Sequence, residues 1–375
     1  MKTQSTLGAA CTAAVLGMTS TAAAQDLPGT MVWTSYDVGS AGYAEASAIA
    51  DAFGKEFGTR VRIQPSGSGI GRLQPLLQGR ADYAFLATEA FFLAEGAYDF
   101  ALPEWGPRPL RAVAGRPAGI TLIAAADAGI ETVEDARGKR IAFVAGNPSI
   151  NVKCEAILAF GGLTLDDVEI ITFPTYSAAM SSMTENEADA TCTTPTTSQL
   201  YELAESPRGI AYAPLEPDNE EGWKGLLDVL PIMNPSDEDV AAGLAEGEVA
   251  RMAAYRYPVI TTTSEKSADE VYAFIKALDV TYDLYKDGTA TMTRWALDTA
   301  GRPAIDVPFH EGAVRYLREI GVWTDEDDAW NERRTARMDA LMDAWEIFKA
   351  ENEGMEEGAF AEAWMARRGE VVAGL

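Results

Sequence analysis

The sequence is poor in histidine, cysteine and positive charge, and each shortage narrows the range of functions. It has one histidine, His310, among 375 residues, so a histidine-based catalytic triad or a histidine-rich metal site is not expected. The 57 aspartates and glutamates outnumber the 30 lysines and arginines, and the formal net charge is −27. Because phosphate contacts require lysine or arginine, we expect no nucleic-acid partner. Hydrophobic residues make up 47%, enough for a sizeable core in two or three packing units.

Residues 1–24 have the pattern of a secretory signal peptide. Lys2 supplies the charged end, residues 7–18 form a short apolar stretch, and three alanines before Gln25 resemble an A-x-A cleavage site. The stretch is too short to span a bilayer, and no later run reaches 18 apolar residues. We therefore predict a periplasmic protein with no stable membrane insertion after signal cleavage.

Two cysteines remain after the predicted cleavage, Cys154 and Cys192. An oxidising compartment allows them to form a disulfide. The alternative is a pair of buried thiols that never meet. The sequence leaves both open, because it does not provide the Cα separation of under about 7 Å that a bridge needs.

The chain shows the same plan twice, with short β-rich runs that alternate with polar loops and amphipathic helices. This alternation predicts an α/β fold with mostly parallel sheets. A late β-rich run at 257–263 indicates that the chain crosses back into the first lobe, and two crossovers form a hinge. A final helical stretch has an apolar face that favours packing on the body over partner binding. The predicted parts are the signal peptide 1–24, a discontinuous lobe 1 at 25–123 and 257–322, lobe 2 at 124–256, and a helical C-terminal extension at 323–375.

Polar loops directly after the predicted strands form the candidate ligand site, since ligands of such sheets bind beyond the carboxyl ends of the strands. Each following helix start leaves N–H groups unpaired and carries a partial positive charge. Several converging starts can hold an anion without cationic side chains. The candidate ligand-binding residues are Gly39, Ser40, Gly42, Tyr43, Ser66, Gly67, Ser68, Thr88, Glu89, Asn147, Ser149, Asn151, Thr193 and Thr194.

Most of these candidates also have a structural explanation. Ser40 and Ser68 are good helix N-caps, and capping is compatible with ligand contact. Tyr43 has the helical spacing of a core residue, and the asparagines suit turns. Glu89 could repel an anion, hold an ammonium group or face solvent. For Arg116, a basic residue near the first crossover, we expect a surface salt bridge.

Five motifs carry a resemblance to a known family, and they occur in the family's order along the chain. They are GSAGY at 39–43, PSGSG at 65–69, QGRADYAF at 78–85, GKRIA at 138–142 and PFHEGAVRY at 308–316. This set resembles the TAXI class of solute-binding proteins, which serve tripartite ATP-independent periplasmic (TRAP) transporters.

The resemblance implies a two-lobed periplasmic-binding-protein type II fold, with a mixed, mostly parallel sheet flanked by helices in each lobe. It implies a receptor that captures a small solute by hinge closure and delivers it to the TRAP membrane permease subunits, which use an ion gradient, typically of sodium. Characterised relatives bind small carboxylates. The implied solute is a small organic anion of the amino acid, dicarboxylate or 2-oxoacid type, and no cofactor, metal or catalytic residue is implied.

Two loops depart from the family pattern. The second-lobe loop reads GNPSIN at 146–151 where the family has a sequence close to GxPGSGT, and Ala87-Thr88-Glu89 replaces a Gln-Ser pair. The family's usual ligand therefore cannot be transferred. Two other functions stay open: an enzyme on the same two-lobed fold, for which only Glu89 is a plausible acid or base, and an extracytoplasmic ligand sensor for a membrane signalling protein.

Overall fold

A computed structural model describes residues 27–303 and 307–375 of the chain. The predicted signal peptide at 1–24 lies outside the described residues. Within them, no helix combines the length and the apolar character that a bilayer crossing requires.

The described strands are β1 Thr30–Ser35, β2 Arg60–Pro65, β3 Tyr83–Leu86, β4 Leu110–Ala125, β5 Arg140–Val144, β6 Glu169–Phe173, β7 Ala190–Thr193, β8 Ile210–Tyr212, β9 Asn234–Glu238 and β10 Ala250–Thr263. They form one continuous sheet with the order β2-β1-β3-β10-β4-β7-β5-β6, while β8 pairs with β4 and β9 with β10. Strands β1, β2 and β3 are parallel, and so are β5, β6 and β7. These two parallel groups are the sheets of the two lobes.

Two long strands join the lobes. Strand β4 has 16 residues and β10 has 14, and they pair with each other in an antiparallel manner. Strand β10 also pairs with β3 of the first group, and β4 pairs with β7 of the second. The fold is therefore a two-lobed α/β fold, as the sequence pattern and the family resemblance predict. The predicted lobe limits at 123/124 and 256/257 both fall inside these shared strands, because the chain crosses between lobes without leaving the sheet.

Helices flank the sheet and follow most of its strands. They are α1 Ala41–Phe57, α2 Gly69–Leu77, α3 Glu89–Glu95, α4 Pro148–Phe160, α5 Tyr176–Thr184, α6 Ser198–Glu205, α7 Glu220–Val229, α8 Ala268–Val280, α9 Tyr282–Tyr285, α10 Leu297–Ala300, α11 Glu311–Glu319, α12 Asp325–Glu351 and α13 Glu357–Ala373. Local signals explain the first boundaries. Ser40 Oγ accepts a hydrogen bond from the Tyr43 N–H and begins α1, which ends at Gly58 in the left-handed conformation.

The predicted C-terminal extension consists of α12 and α13, and its apolar face is buried. Met338, Leu341 and Trp345 of α12 are all buried. Trp345 also contacts the ring of Trp364 on α13, with centroids 4.8 Å apart. Packing on the body, the alternative favoured by the sequence, accounts for this face.

The structure joins the cysteines that the sequence left undecided. Cys154 on α4 and Cys192 on β7 form a disulfide, with Cα atoms 5.1 Å apart. The bond ties α4 to the sheet of the second lobe.

Candidate functional site

A cavity lies between the lobes, at the carboxyl ends of the parallel strands. Its walls come from the segments that follow β1, β2, β3, β5 and β6, from the end of β7 and from β10. The residues that line it are Tyr36, Asp37, Ser40, Gly67, Arg72, Ala87, Asn147, Ser149, Ile150, Lys153, Tyr176, Thr193, Thr194, Tyr255 and Tyr257. This is the edge of the sheet at which α/β proteins bind ligands.

Helix starts from both lobes meet at the cavity. Ser40 caps α1, and Asn147 caps α4 by accepting a hydrogen bond from the Ile150 N–H through Oδ1 at 3.4 Å. Both capping residues line the cavity. The positive ends of these helix dipoles therefore face the space in which a ligand would lie.

Arg72 on α2 brings the first of two buried cations to the cavity. Its Nη2 donates to Glu89 Oε1 at 2.6 Å and its Nη1 to the Ser66 carbonyl at 2.9 Å. The guanidinium also lies 4.0 Å from the centroid of the Tyr36 ring. Burial alone raises the pKa of Glu89, but the Arg72 charge and hydrogen bond offset this and leave the pKa of Glu89 lowered. Both groups of the pair are thus charged at neutral pH.

Lys153 on α4 is the second cation, and its residue is only 2% exposed. Its Nζ donates to Ser149 Oγ at 2.9 Å and to Thr88 Oγ1 at 3.1 Å. The same nitrogen lies 4.0 Å from the centroid of the Tyr255 ring. Ser149 belongs to the second lobe and Thr88 to the first, so this ammonium group is held by both lobes at once.

Four tyrosines complete the cavity wall and supply neutral hydroxyl groups. Tyr36 and Tyr257 pack edge to face with centroids 4.9 Å apart, and Tyr176 shares its hydroxyl with Thr193 Oγ1 at 2.6 Å. Burial raises the pKa of Tyr36 and Tyr255 well above the usual value, so these hydroxyls keep their protons. The Tyr36 hydroxyl is buried and has no hydrogen-bond partner within the described part of the chain. Such a group is a candidate donor to a ligand.

Six of the fourteen predicted ligand-binding residues line the cavity. The predicted residues in the lining are Ser40, Gly67, Asn147, Ser149, Thr193 and Thr194. The others lie behind or beside the cavity, and each has another partner.

Thr88 and Glu89 support the cavity from behind. Thr88 accepts the hydrogen bond from Lys153. Glu89 is completely buried and pairs with Arg72. This corrects the expectation that Glu89 faces a ligand or solvent, because the neighbouring guanidinium takes its carboxylate.

Gly39, Gly42 and Tyr43 also lie outside the lining. The Gly39 carbonyl accepts a hydrogen bond from Ser198 Oγ at 3.0 Å, which links the two lobes. The Gly42 N–H donates to the Tyr257 hydroxyl at 3.3 Å. Tyr43 is a half-buried residue of α1. The start of α1 therefore supports Tyr257 and the lobe contact instead of lining the cavity itself.

Ser66, Ser68 and Asn151 satisfy nearby backbone groups. Ser66 Oγ donates to the Ser68 carbonyl at 3.3 Å, and Ser68 Oγ accepts from the Gly71 N–H at 3.1 Å. The Asn151 side chain bonds both the N–H and the carbonyl of Val144, at 3.1 and 2.9 Å. Short polar side chains commonly pair with adjacent backbone in this way, so the structure gives each of these three residues a structural role.

Sequence reasoning missed both cations, Arg72 and Lys153, which line the cavity beside the helix starts. Arg72 lies four residues after the N-cap Ser68, and Lys153 lies four residues after Ser149. Residues four apart share one helix face, so this spacing was the available signal. The missed tyrosines of β10, Tyr255 and Tyr257, gave no such signal. They reach the cavity only because β10 passes between the lobes.

Arg116 also differs from its prediction as a surface salt bridge. It is buried, and its Nε and Nη2 donate to Glu45 at 2.8 and 2.5 Å. The same carboxylate accepts from Thr291 Oγ1 and from Trp295 Nε1. Since burial removes water, the pair needs these additional hydrogen bonds. The network ties α1 to β4 beside the cavity.

The sequence model that defines the NMT1-like family matches residues 34–321, which include every residue of the cavity. The chain belongs to the NMT1-like family. The family match ends before α12, so the C-terminal extension of this NMT1-like protein lies outside it. A search of curated proteins finds no match.

Solved structures give remote likenesses to this NMT1-like protein. The alkanesulfonate-binding protein SsuA from Xanthomonas axonopodis pv. citri, bound to MOPS, is 15% identical with a TM-score of 0.45 over 83% of this chain and 85% of its own. A Brucella ovis periplasmic binding protein with glutathione bound is 13% identical, with a TM-score of 0.43 over 69% and 70%. An ancestral arginine-binding protein bound to arginine is 14% identical, with a TM-score of 0.43 over 72% and 97%. At this distance they do not identify a ligand for the chain.

Proposed function

We propose that this NMT1-like protein is a periplasmic solute-binding receptor of the TAXI class. It captures a small organic anion between its lobes and delivers it to a TRAP-type permease that uses an ion gradient. The observation that carries the proposal is the pair of buried cations, Arg72 and Lys153, at a cavity to which both lobes contribute.

The chemistry of the lining supports an anionic ligand. Removing a cation from water costs several kcal/mol, and Arg72 and Lys153 share the attraction of the buried carboxylate of Glu89, whose pKa both lower. An anionic group in the cavity offsets that cost. The neutral tyrosine hydroxyls and the helix starts add hydrogen-bond donors. A desolvated site with preformed donors suits tight binding of a small carboxylate.

Binding is favoured over catalysis by the state of Glu89. This is the one residue that the sequence offered as an acid or base, and Arg72 holds it as a buried carboxylate.

Calorimetric titration with glutamate, succinate and 2-oxoglutarate tests the proposal, with succinamide as the uncharged control for succinate. Thermal unfolding gives a second measure of binding, because a ligand present at 100 times its Kd should add about 2.7 kcal/mol to the free energy of unfolding. We expect at least one anion to bind and the diamide not to bind. Binding of the diamide with equal affinity, or of no anion, would contradict the anionic ligand class. Uptake in proteoliposomes that contain a TRAP permease tests the delivery step.

A further inference from the structure

The short helix α3 connects the cavity to the C-terminal extension. All seven of its residues are buried. At its start, Thr88 and Glu89 hold the two cavity cations, Lys153 and Arg72. At its last residue, Glu95, the helix meets arginines of the extension. The two ends of one buried element thus serve the ligand site and the extension.

Glu95 is the centre of the contact with the extension. Its residue is 3% exposed, and a carboxylate buried to this degree requires charged partners. Arg337 of α12 donates to Glu95 Oε2 at 2.7 Å. Arg334 of α12 approaches Oε1 to 3.5 Å, and Arg368 of α13 donates to Oε2. Both helices of the extension therefore contribute cations to a single carboxylate of α3.

A second contact holds the segment after α3. The indole Nε1 of Trp364 on α13 donates to the Gly96 carbonyl at 2.6 Å. Gly96 ends α3 in the left-handed conformation. Tyr98, two residues after Gly96, donates its hydroxyl to the Val229 carbonyl of α7 in the second lobe, at 2.7 Å. The extension thus holds the end of α3 at a point where the two lobes touch.

We propose that Glu95 is a positioning residue of the solute site and that the C-terminal extension, by holding Glu95, is a working part of that site. The extension fixes α3, and α3 fixes the two residues that hold Arg72 and Lys153. This inference rests on the proposed function for its effect on ligand affinity. Its effect on the order of α3 does not depend on any ligand.

The test compares Glu95→Gln with Tyr316→Phe in the full-length chain. Glu95→Gln keeps the side-chain shape and removes the charge that three arginines share. Tyr316 of α11 donates its hydroxyl to Asp279 Oδ2 of α8 at 2.7 Å, so Tyr316→Phe removes a hydrogen bond elsewhere in the first lobe and alters neither the Glu95 nor the Gly96 contact of the extension. Amide hydrogen exchange over residues 86–96 and 149–155 reports on the order of the cavity wall. Titration with the anion panel reports on affinity.

We expect Glu95→Gln to speed exchange over residues 86–96 and to raise the Kd at least about fivefold, and Tyr316→Phe to do neither at equal loss of thermal stability. If Glu95→Gln lowers the melting temperature but leaves local exchange and Kd at the values of the control, Glu95 is merely structural and the inference is wrong. Faster exchange with an unchanged Kd also overturns it. If the wild type binds no anion, the proposed function fails, and the exchange comparison still decides whether Glu95 orders the cavity wall.

Discussion

Replacing Lys153 with methionine tests the role of the buried ammonium group. Methionine keeps an unbranched, flexible side chain and removes the charge. A hydrogen bond to a charged group contributes about 1.5–3 kcal/mol. At 1.4 kcal/mol per factor of ten, we expect Lys153→Met to raise the Kd for the anion about 10- to 150-fold. Isothermal titration calorimetry at fixed salt measures this change directly.

Lys224→Met is the matched control for this experiment. It makes the same substitution and the same change in net charge on α7 of the second lobe. Lys224 is exposed and pairs with Asp228 four residues along the helix, a contact that solvent screens and that contributes little to stability. We expect a Kd close to the wild-type value. Equal affinities for Lys153→Met and Lys224→Met would refute the assignment of Lys153 to the ligand site.

Three further results are expected. Replacing Cys154 and Cys192 with alanine should lower the free energy of unfolding by about 4 kcal/mol in the chain-entropy model, since 38 positions separate them; equal urea midpoints for variant and wild type would contradict this. Burial lowers the pKa of His310 despite its hydrogen bond to the Lys266 carbonyl. As the pH is lowered through the usual histidine pKa of 6.5, the unfolded chain therefore binds more protons than the folded chain, and the free energy of unfolding decreases. The variant His310→Asn can still accept from the Gly312 N–H but does not titrate, and urea unfolding at pH 7.5 and 5.5 should show a smaller loss; parallel losses would exclude the histidine. Asp37 lines the cavity, so Asp37→Asn should tighten succinate binding by removing a like charge, about fivefold for 1 kcal/mol; weaker binding would indicate that the carboxylate accepts a hydrogen bond from the ligand.

The architecture of the chain could be predicted from sequence because its signals are local. Runs such as 139–144 have the composition of strands, and the capping residues Ser40 and Asn147 mark helix starts that the structure contains. The alternation of strands and helices then leaves few topologies. The candidate site could be predicted in its location for the same reason, since a strand that ends in a polar loop identifies the ligand edge of the sheet. The predicted limits of the lobes fall within β4 and β10, which run through both lobes.

The partners of the charged residues at the site could not be predicted in this way. Arg72 and Glu89 are separated by 17 positions, Lys153 and Thr88 by 65, and Arg116 and Glu45 by 71. No periodicity or cap signal reports such distances. Long side chains contact partners from distant segments only in the packed chain. The free energy of a buried charge then depends on the charges and hydrogen bonds around it.

The amino-acid sequence by itself determined the strands, the helix starts, the acidic character and the edge of the sheet at which the cavity lies, because these follow from patterns within a few neighbouring residues. Tertiary structure alone decided that Arg72 and Lys153 meet at the cavity, that Glu89 supports one of them from behind, and that α3 links the cavity to the extension. These depend on which distant segments exclude water from one another, and that is a property of the packed chain.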